Sequence, residues 1–334
     1  MKTFKSENYN FIFNKKTGFF ARWGKTIKDD PELSPYGNEI LDIEVTDICK
    51  GPGGVPCPFC YKSNSLKHTN NMSLEKFKNI IDKMPKTITQ IAIGADAQCT
   101  SNPEIWDMME YTKYKDIIPN ITVADISDDT ANKLAKFCGA VAVSRYENKN
   151  YCYNSVKKLI DRGMKQINIH IMVSEQTESM VYETLNDFKN DKRLKGLNAI
   201  VLLSLKKKGR GKGFDILSQD KFKKIVQTAM NKNIPIGFDS CSCHKFLKSI
   251  EGSKNYSKLK MLSEPCESSL FSAYINVHGD FYPCSFTEGV VGWETGISVD
   301  TCNDFLKDVW YNKRTVKFRE NLINNKRKCP IFEV

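Results

Sequence analysis

From residue 39 to residue 239 the chain repeats one pattern, a short run rich in β-branched residues followed by a longer amphipathic stretch. The runs at 39–45, 89–95, 121–125, 140–145, 166–173, 198–205 and 235–239 read as strands. Between them, 73–84, 103–114, 128–138, 151–163, 176–190 and 218–232 carry apolar residues at helical spacing, with Ser73, Asp128 and Ser218 placed as caps. Successive strands joined by helices lie parallel and cross over right-handed, so this alternation leaves few folds open. The expected fold class is α/β, with continuously apolar strands and ligands held beyond their carboxyl ends. A closed eight-stranded barrel would fit the length, but only about seven strands precede residue 240, where the pattern stops.

The loop leaving the first strand holds Cys49, Cys57 and Cys60, then Tyr61. Three thiolates close together suit an iron–sulfur cluster or a zinc ion, because soft sulfur donors select those centres. A structural zinc needs a fourth Cys or His nearby, and the nearest candidate is His68. On a four-iron cluster, three thiolates leave one iron open to an outside ligand. Three unrelated core cysteines are the plain alternative.

In these residues the chain resembles the radical S-adenosylmethionine (radical SAM) superfamily. The usual spacing there is C-x3-C-x2-C and then an aromatic residue, just after the first strand of a βα barrel. Here the second interval is kept and the first expands to seven residues, with Gly51, Pro52, Gly53, Gly54 and Pro56 letting the longer arch turn back. The resemblance implies a partial (βα)6 barrel with a [4Fe-4S] cluster on Cys49, Cys57 and Cys60 and S-adenosylmethionine beside it. It implies an enzyme that cleaves this cofactor reductively to a 5′-deoxyadenosyl radical and takes a hydrogen from its substrate. Residues acting directly on the substrate stay unassigned.

For the cofactor the resemblance points to Tyr61, to Gly94, Ala95 and Asp96 after the second strand, and to Ser144 and Arg145 ending the fourth. The family often has Gly-Gly-Glu-Pro after the second strand, and here only Gly94 is kept. Asp96 would accept from an ammonium and an Arg fork suits a carboxylate; an ordinary turn is the alternative at 94–97. His170 and Met172 share one face of the fifth strand, His170 being either a packed core residue or a substrate contact. Gly209-Arg210-Gly211 is similar to an element of radical SAM peptide-modifying enzymes, or is a solvated basic loop.

Beyond residue 240 come Cys241, Cys243, Cys266, Cys284, Cys302 and Cys329, with a hairpin pattern between Tyr274 and Tyr282. This resembles the SPASM or twitch extension and implies an auxiliary [4Fe-4S] cluster on Cys266 and Cys284. Cys241, Cys243, Cys302 and Cys329 compete for its other places, and Cys241 and Cys329 are taken as the ligands; zinc is the competing occupant. Cys99, Cys138 and Cys152 read as core or surface thiols. The expected division is 1–38, a β-hairpin and loop; 39–240, the partial barrel; and 241–334, a small hairpin and helix extension for the auxiliary cluster.

Twelve cysteines in a chain without a secretory signal argue for metal or redox chemistry over disulfides, in a reducing cytoplasm. No apolar run is long enough to span a bilayer. The formal charge of +11 describes a Lys-rich solvated surface, or attraction for a nucleic acid, a nucleotide or an acidic peptide. Peptide or protein modification is the leading expectation, with a peptide or small-molecule substrate and a flavodoxin- or ferredoxin-type reductant. Residues 1–38 are short against the leader-recognition domain that many such enzymes carry. The alternatives are radical modification of a nucleoside, nucleotide or nucleic acid, and a non-catalytic iron–sulfur protein that moves electrons.

Overall fold

The alternating pattern forms the elements it predicts. In a computed structural model describing residues 1–334, seven strands run in chain order: β4 (Ile40–Glu44), β5 (Gln90–Gly94), β6 (Ile118–Val123), β7 (Ala140–Ser144), β8 (Ile167–Val173), β9 (Ala199–Ser204) and β10 (Ile236–Phe238). Six helices alternate with them: α1 (Leu74–Lys83), α2 (Ile105–Tyr114), α3 (Asp128–Phe137), α4 (Lys149–Asp161), α5 (Glu178–Asn190) and α6 (Gln219–Asn231). Ser73 and Ser218 cap α1 and α6 by accepting from Lys76 and Lys221 backbone N–H groups. At α3 the cap is Ser127, which accepts from Thr130 N; Asp128 sits in the first turn, where its charge suits the helix dipole.

All seven strands are parallel and lie side by side in sequence order, with no reversal. Right-handed crossovers in one direction put every connecting helix on the same face. The side chains show it: Leu41, Ile43, Ile91, Ile93, Val141, Val143, Ile169 and Ile200 are buried to within 2% on the helix side. Their neighbours Asp42, Gln90, Asn120, Thr122, Ser144 and His170 keep accessible surface on the other. The strands are therefore not continuously apolar as expected. They alternate, because helices cover one face and leave the other as a polar basin.

The sheet has ten strands and stays open, with β10 at one edge. At the other end, β11 (Ser272–Ile275) pairs parallel with β4, and β12 (Asp280–Tyr282) and β13 (Ile297–Ser298) follow antiparallel. The expected hairpin is present, with Tyr274 opposite Tyr282, and it extends the main sheet across residue 240. Helices α7 (Cys243–Ser249) and α8 (Tyr256–Met261) precede it, and α9 (Lys313–Asn324) leads to Cys329.

The N-terminal segment forms a separate antiparallel sheet of β1 (Lys2–Phe4), β2 (Asn10–Phe13) and β3 (Phe20–Trp23). It is fastened by Arg22, which reaches Glu39 at 2.7 Å and Glu264 at 2.6 Å. No helix is long and apolar enough to cross a membrane.

Candidate functional site

The cysteine loop leaves β4 at its carboxyl end and returns alongside itself, Cys49 N donating to Ser65 O at 3.3 Å. Gly51 turns the arch at φ 76°, where a side chain would run into Val55 backbone. Gln98, from the loop after β5, donates to Gly51 O at 2.9 Å, and Gly53 N donates to Asp125 at 3.2 Å. Phe59, between Cys57 and Cys60, stacks on Tyr146 with centroids 5.4 Å apart and planes 8° apart, and meets Phe214 edge-on.

Gly209-Arg210-Gly211 proves to be the clamp under this loop. Arg210 Nε donates to Cys57 O at 2.7 Å, its guanidinium reaches Asn64 O at 3.1 Å, and its backbone N–H donates to Cys60 O at 3.0 Å. Gly209 has φ 55°, and a Cβ there would stand 2.6 Å from Cys60 O. The lysines around it are also engaged: Lys206 pairs with Asp239, and Lys208 donates to Phe286 O and Glu288 O. Gly209-Arg210-Gly211 is packed structure, while Lys207 and Lys212 beside it stay exposed.

Two expected cofactor contacts need correction. Asp96 is buried and its carboxylate accepts from Thr100 and Ser101 backbone N–H, both at 2.8 Å, and from Gln98 N at 3.2 Å. It shapes its own turn and has little capacity left for an ammonium. Arg145 continues the helix-facing series Val141, Val143, and is 1% exposed. Its guanidinium pairs with Glu183 at 2.6 Å and donates to Glu147 O. Strand alternation turns it away from the basin that Ser144 faces. Gly94 and Ala95 do stand at the strand end, and Gly94 is exposed with its Cβ position 3.3 Å from Glu44 Cα. His170 faces the basin, and burial lowers its pKa to about 4, so the ring is neutral.

Cys241, Cys266, Cys284 and Cys329 line one cavity of about 240 Å³. None is in a disulfide. The two neighbouring thiols act on each other, Cys266 raising the pKa of Cys241 and Cys241 lowering that of Cys266. Cys284 is pushed up to about 11 by burial, with Cys241 adding to the effect. Cys243 and Cys302, the other two competitors, do not line this cavity. Lys206, 4% exposed, lies on the same wall. Burial works against its charge, but Asp239 and Cys241 outweigh that and raise its pKa.

The two cysteine groups share a partition. Tyr61 packs on Phe286 with ring centroids 4.3 Å apart, and Phe286 follows Cys284 by two residues. Lys62 pairs with Glu44 at 3.1 Å and with Glu288, and Tyr274 donates to Glu44 at 3.0 Å. Glu44, Lys62, Glu288 and Asp42 were not singled out from sequence. The parity of Ile40-Leu-Asp-Ile-Glu44, which puts both acids on the face opposite Leu41 and Ile43, was the available signal.

Across the structure, no group of three or more His, Cys, Asp or Glu side chains is gathered tightly enough to hold a single metal ion. A structural zinc site draws its ligands to about 2.0–2.3 Å around one atom. Both cysteine groups are all-sulfur donor sets, a chemistry that suits iron–sulfur clusters and zinc alike. His68, the candidate fourth zinc ligand, bonds Asp47 O through Nδ1.

No protein-family model and no curated protein sequence matches the chain. Among solved structures, the fold is similar to SuiB of Streptococcus suis bound to precursor peptide SuiA, with a TM-score of 0.66 and 16% identity over 85% of this chain. It is also similar to SuiB bound to S-adenosylmethionine, at 0.59 and 17% identity over 83%. The matches cover 67% and 64% of those chains, so this chain spans about two thirds of their length. It has the α/β fold of SuiB, built on a large parallel sheet.

Proposed function

We propose that this chain is a radical SAM enzyme that modifies a peptide. The carrying observation is the Cys49, Cys57, Cys60 loop, seated at the carboxyl end of β4 in a fold similar to one solved with S-adenosylmethionine bound. The same fold has been solved with a precursor peptide, which favours a peptide over the nucleic-acid reading. In this reading the seven parallel strands are a partial barrel, and the open basin faces the substrate. Residues 1–38, 39–240 and 241–334 serve as N-terminal brace, cofactor-binding unit and auxiliary-cluster unit.

Cys49, Cys57 and Cys60 would hold a [4Fe-4S] cluster, and Cys241, Cys266, Cys284 and Cys329 an auxiliary one. The chemistry such a cluster would supply, once reduced by an external flavodoxin- or ferredoxin-type donor, is one electron to the sulfonium of S-adenosylmethionine, giving methionine and a 5′-deoxyadenosyl radical that takes a hydrogen atom from the substrate. Arg210 fixes the carbonyls of the cysteine loop so that its thiols keep one arrangement. Phe59, Tyr146, Tyr61 and Phe286 close apolar walls around it, which keeps water from a reactive intermediate. Gly94 and Ala95 leave room for the cofactor to approach main chain, and Ser144 offers a hydroxyl from the basin side.

The test is anaerobic reconstitution of the chain with iron and sulfide, followed by reduction in the presence of S-adenosylmethionine. Release of 5′-deoxyadenosine, lost in Cys57→Ala, supports the reading. A reconstituted protein with its iron in place and no 5′-deoxyadenosine would leave the non-catalytic electron-transfer reading standing instead.

A further inference from the structure

Lys206, Lys207 and Lys208 leave β9 as an unbroken run, yet their side chains end in three different places. Lys207 is exposed and pairs with Asp215, and Lys208 donates to the main chain of Phe286 and Glu288. Lys206 alone turns inward, with 3% of its side chain exposed. It lines the cavity of Cys241, Cys266, Cys284 and Cys329. Its ammonium lies beside Cys241, close enough to act on that sulfur by charge and by hydrogen bonding.

Two contacts hold it there. Asp239 pairs with it, and the Phe286 ring centroid lies 4.9 Å from its Nζ. Asp239 is itself fixed, accepting from Ser204 N at 3.3 Å and from the Ser242 hydroxyl. A buried ion pair is a poor route to stability, since apolar side chains of the same volume do as well or better. Packing therefore does not explain a desolvated cation in this wall. The sulfurs around it do, because cysteines that hold a metal centre are thiolates and anionic. The Cys49, Cys57 and Cys60 loop is served differently. Arg210, the cation beside it, gives its hydrogen bonds to the carbonyls of Cys57, Cys60 and Asn64.

We propose that Lys206 raises the reduction potential of the auxiliary cluster, so that this centre takes up an electron more readily than its thiolates alone would allow. This rests on the auxiliary-cluster reading above and adds the residue that sets the electron affinity of that centre. Net charge and hydrogen bonds to sulfur are the levers a protein has on such a potential. Thiolate ligands leave the oxidised centre anionic, and an added electron makes it more so. An ammonium against one sulfur favours the more negative state, and a low dielectric strengthens that preference. The step is the arrival of one electron from a flavodoxin- or ferredoxin-type donor. No bond is made or broken, and Lys206 keeps its proton.

The test is a potentiometric titration of the full chain, reconstituted with iron and sulfide and reduced with dithionite, followed by electron paramagnetic resonance. The reduction wave whose spectrum ignores S-adenosylmethionine belongs to the C-terminal centre. Lys206→Met should move that wave to lower potential. The expected shift is about tenfold or more in the reduction equilibrium, the scale of a hydrogen bond to a charged group, or about 59 mV for one electron. Lys206→Arg should keep most of the wild-type value. Asp239→Asn removes the opposing charge and should move the wave the other way, a change of sign that loosened packing does not produce. It also reads the same charge if Lys206→Met fails to fold or to hold iron. A C-terminal wave that stays at the wild-type potential in Lys206→Met, or that does not rise in Asp239→Asn, overturns the proposal and leaves the auxiliary cluster standing. A reconstituted chain with a single wave, altered by S-adenosylmethionine, removes the auxiliary cluster and the proposal with it.

Discussion

The two cysteine groups are built in opposite ways. Cys49, Cys57 and Cys60 come from one stretch of twelve residues, 49–60, and the rest of the protein braces that stretch from outside through Gln98, Tyr146 and Arg210. Cys241, Cys266, Cys284 and Cys329 span eighty-nine residues, 241–329, and converge because β10, the β11–β12 hairpin and the segment after α9 end around one cavity. The first is a local motif held by contacts, and the second exists only as a contact. Order in the first costs the entropy of one loop, while order in the second depends on the whole C-terminal half being folded.

Removing the proposed ligands tests that difference most severely. Cys57→Ala should abolish 5′-deoxyadenosine release while keeping the iron of the C-terminal group. Cys241→Ala should do the converse, retaining cleavage of S-adenosylmethionine and losing the C-terminal iron. Iron content and 5′-deoxyadenosine release, measured on each variant, decide it. If either substitution empties both sites, the two groups are one cooperative unit and the contrast fails.

The partition between them comes next. Lys62 holds two carboxylates, Glu44 and Glu288, with 13% of its side chain exposed. Lys62→Met leaves both acids without their cation, a loss of about 3 kcal/mol on the scale of broken buried pairs, read as the change in urea midpoint. The C-terminal cavity, which depends on that seam, should lose iron before the Cys49–Cys60 loop does. Equal loss at both sites would mean that the seam supports both alike.

A smaller effect is expected on the local side. Gly209→Ala forces a side chain into a positive φ and against Cys60 O, and should destabilise by about 1–3 kcal/mol. Here the order of iron loss should be reversed, with the N-terminal loop affected first. A variant with wild-type stability and iron would show that Gly209 is not needed for the clamp.

The mildest test is pH. Burial raises Glu39 to about 7, against the pull of Arg22. The folded value lies above the unfolded one, so the folded state binds more protons between about pH 4 and pH 7. Stability should therefore be greatest at the low end of that window and fall as pH rises through it. Glu39→Gln should make the slope of the urea midpoint shallower. A midpoint that rises across the window would show that Arg22 outweighs burial at Glu39.

Much of this was legible in the chain itself. All seven strands and six helices lie where periodicity put them, and β6 differs most because Pro119 sits inside the strand, which begins at Ile118 instead of residue 121. The cysteines of both groups were also readable as candidates. Less readable was which face each side chain takes. Arg145 and Asp96 have the right chemistry for a cofactor, yet one answers to Glu183 behind the sheet and the other to its own turn. Neither partner is signalled by residue type.

Sequence alone settled what depends on short range: the alternation of strand and helix, the parallel sheet it requires, and the three-cysteine loop after β4. These follow from hydrophobic period and chain connectivity, which act over a few residues at a time. Sequence had already ranked Cys241 and Cys329 ahead of Cys243 and Cys302; tertiary structure decided that they line one cavity with Cys266 and Cys284. It also decided that Arg210 clamps the cysteine loop. Those outcomes depend on how distant segments meet, and no local preference encodes a meeting of that kind.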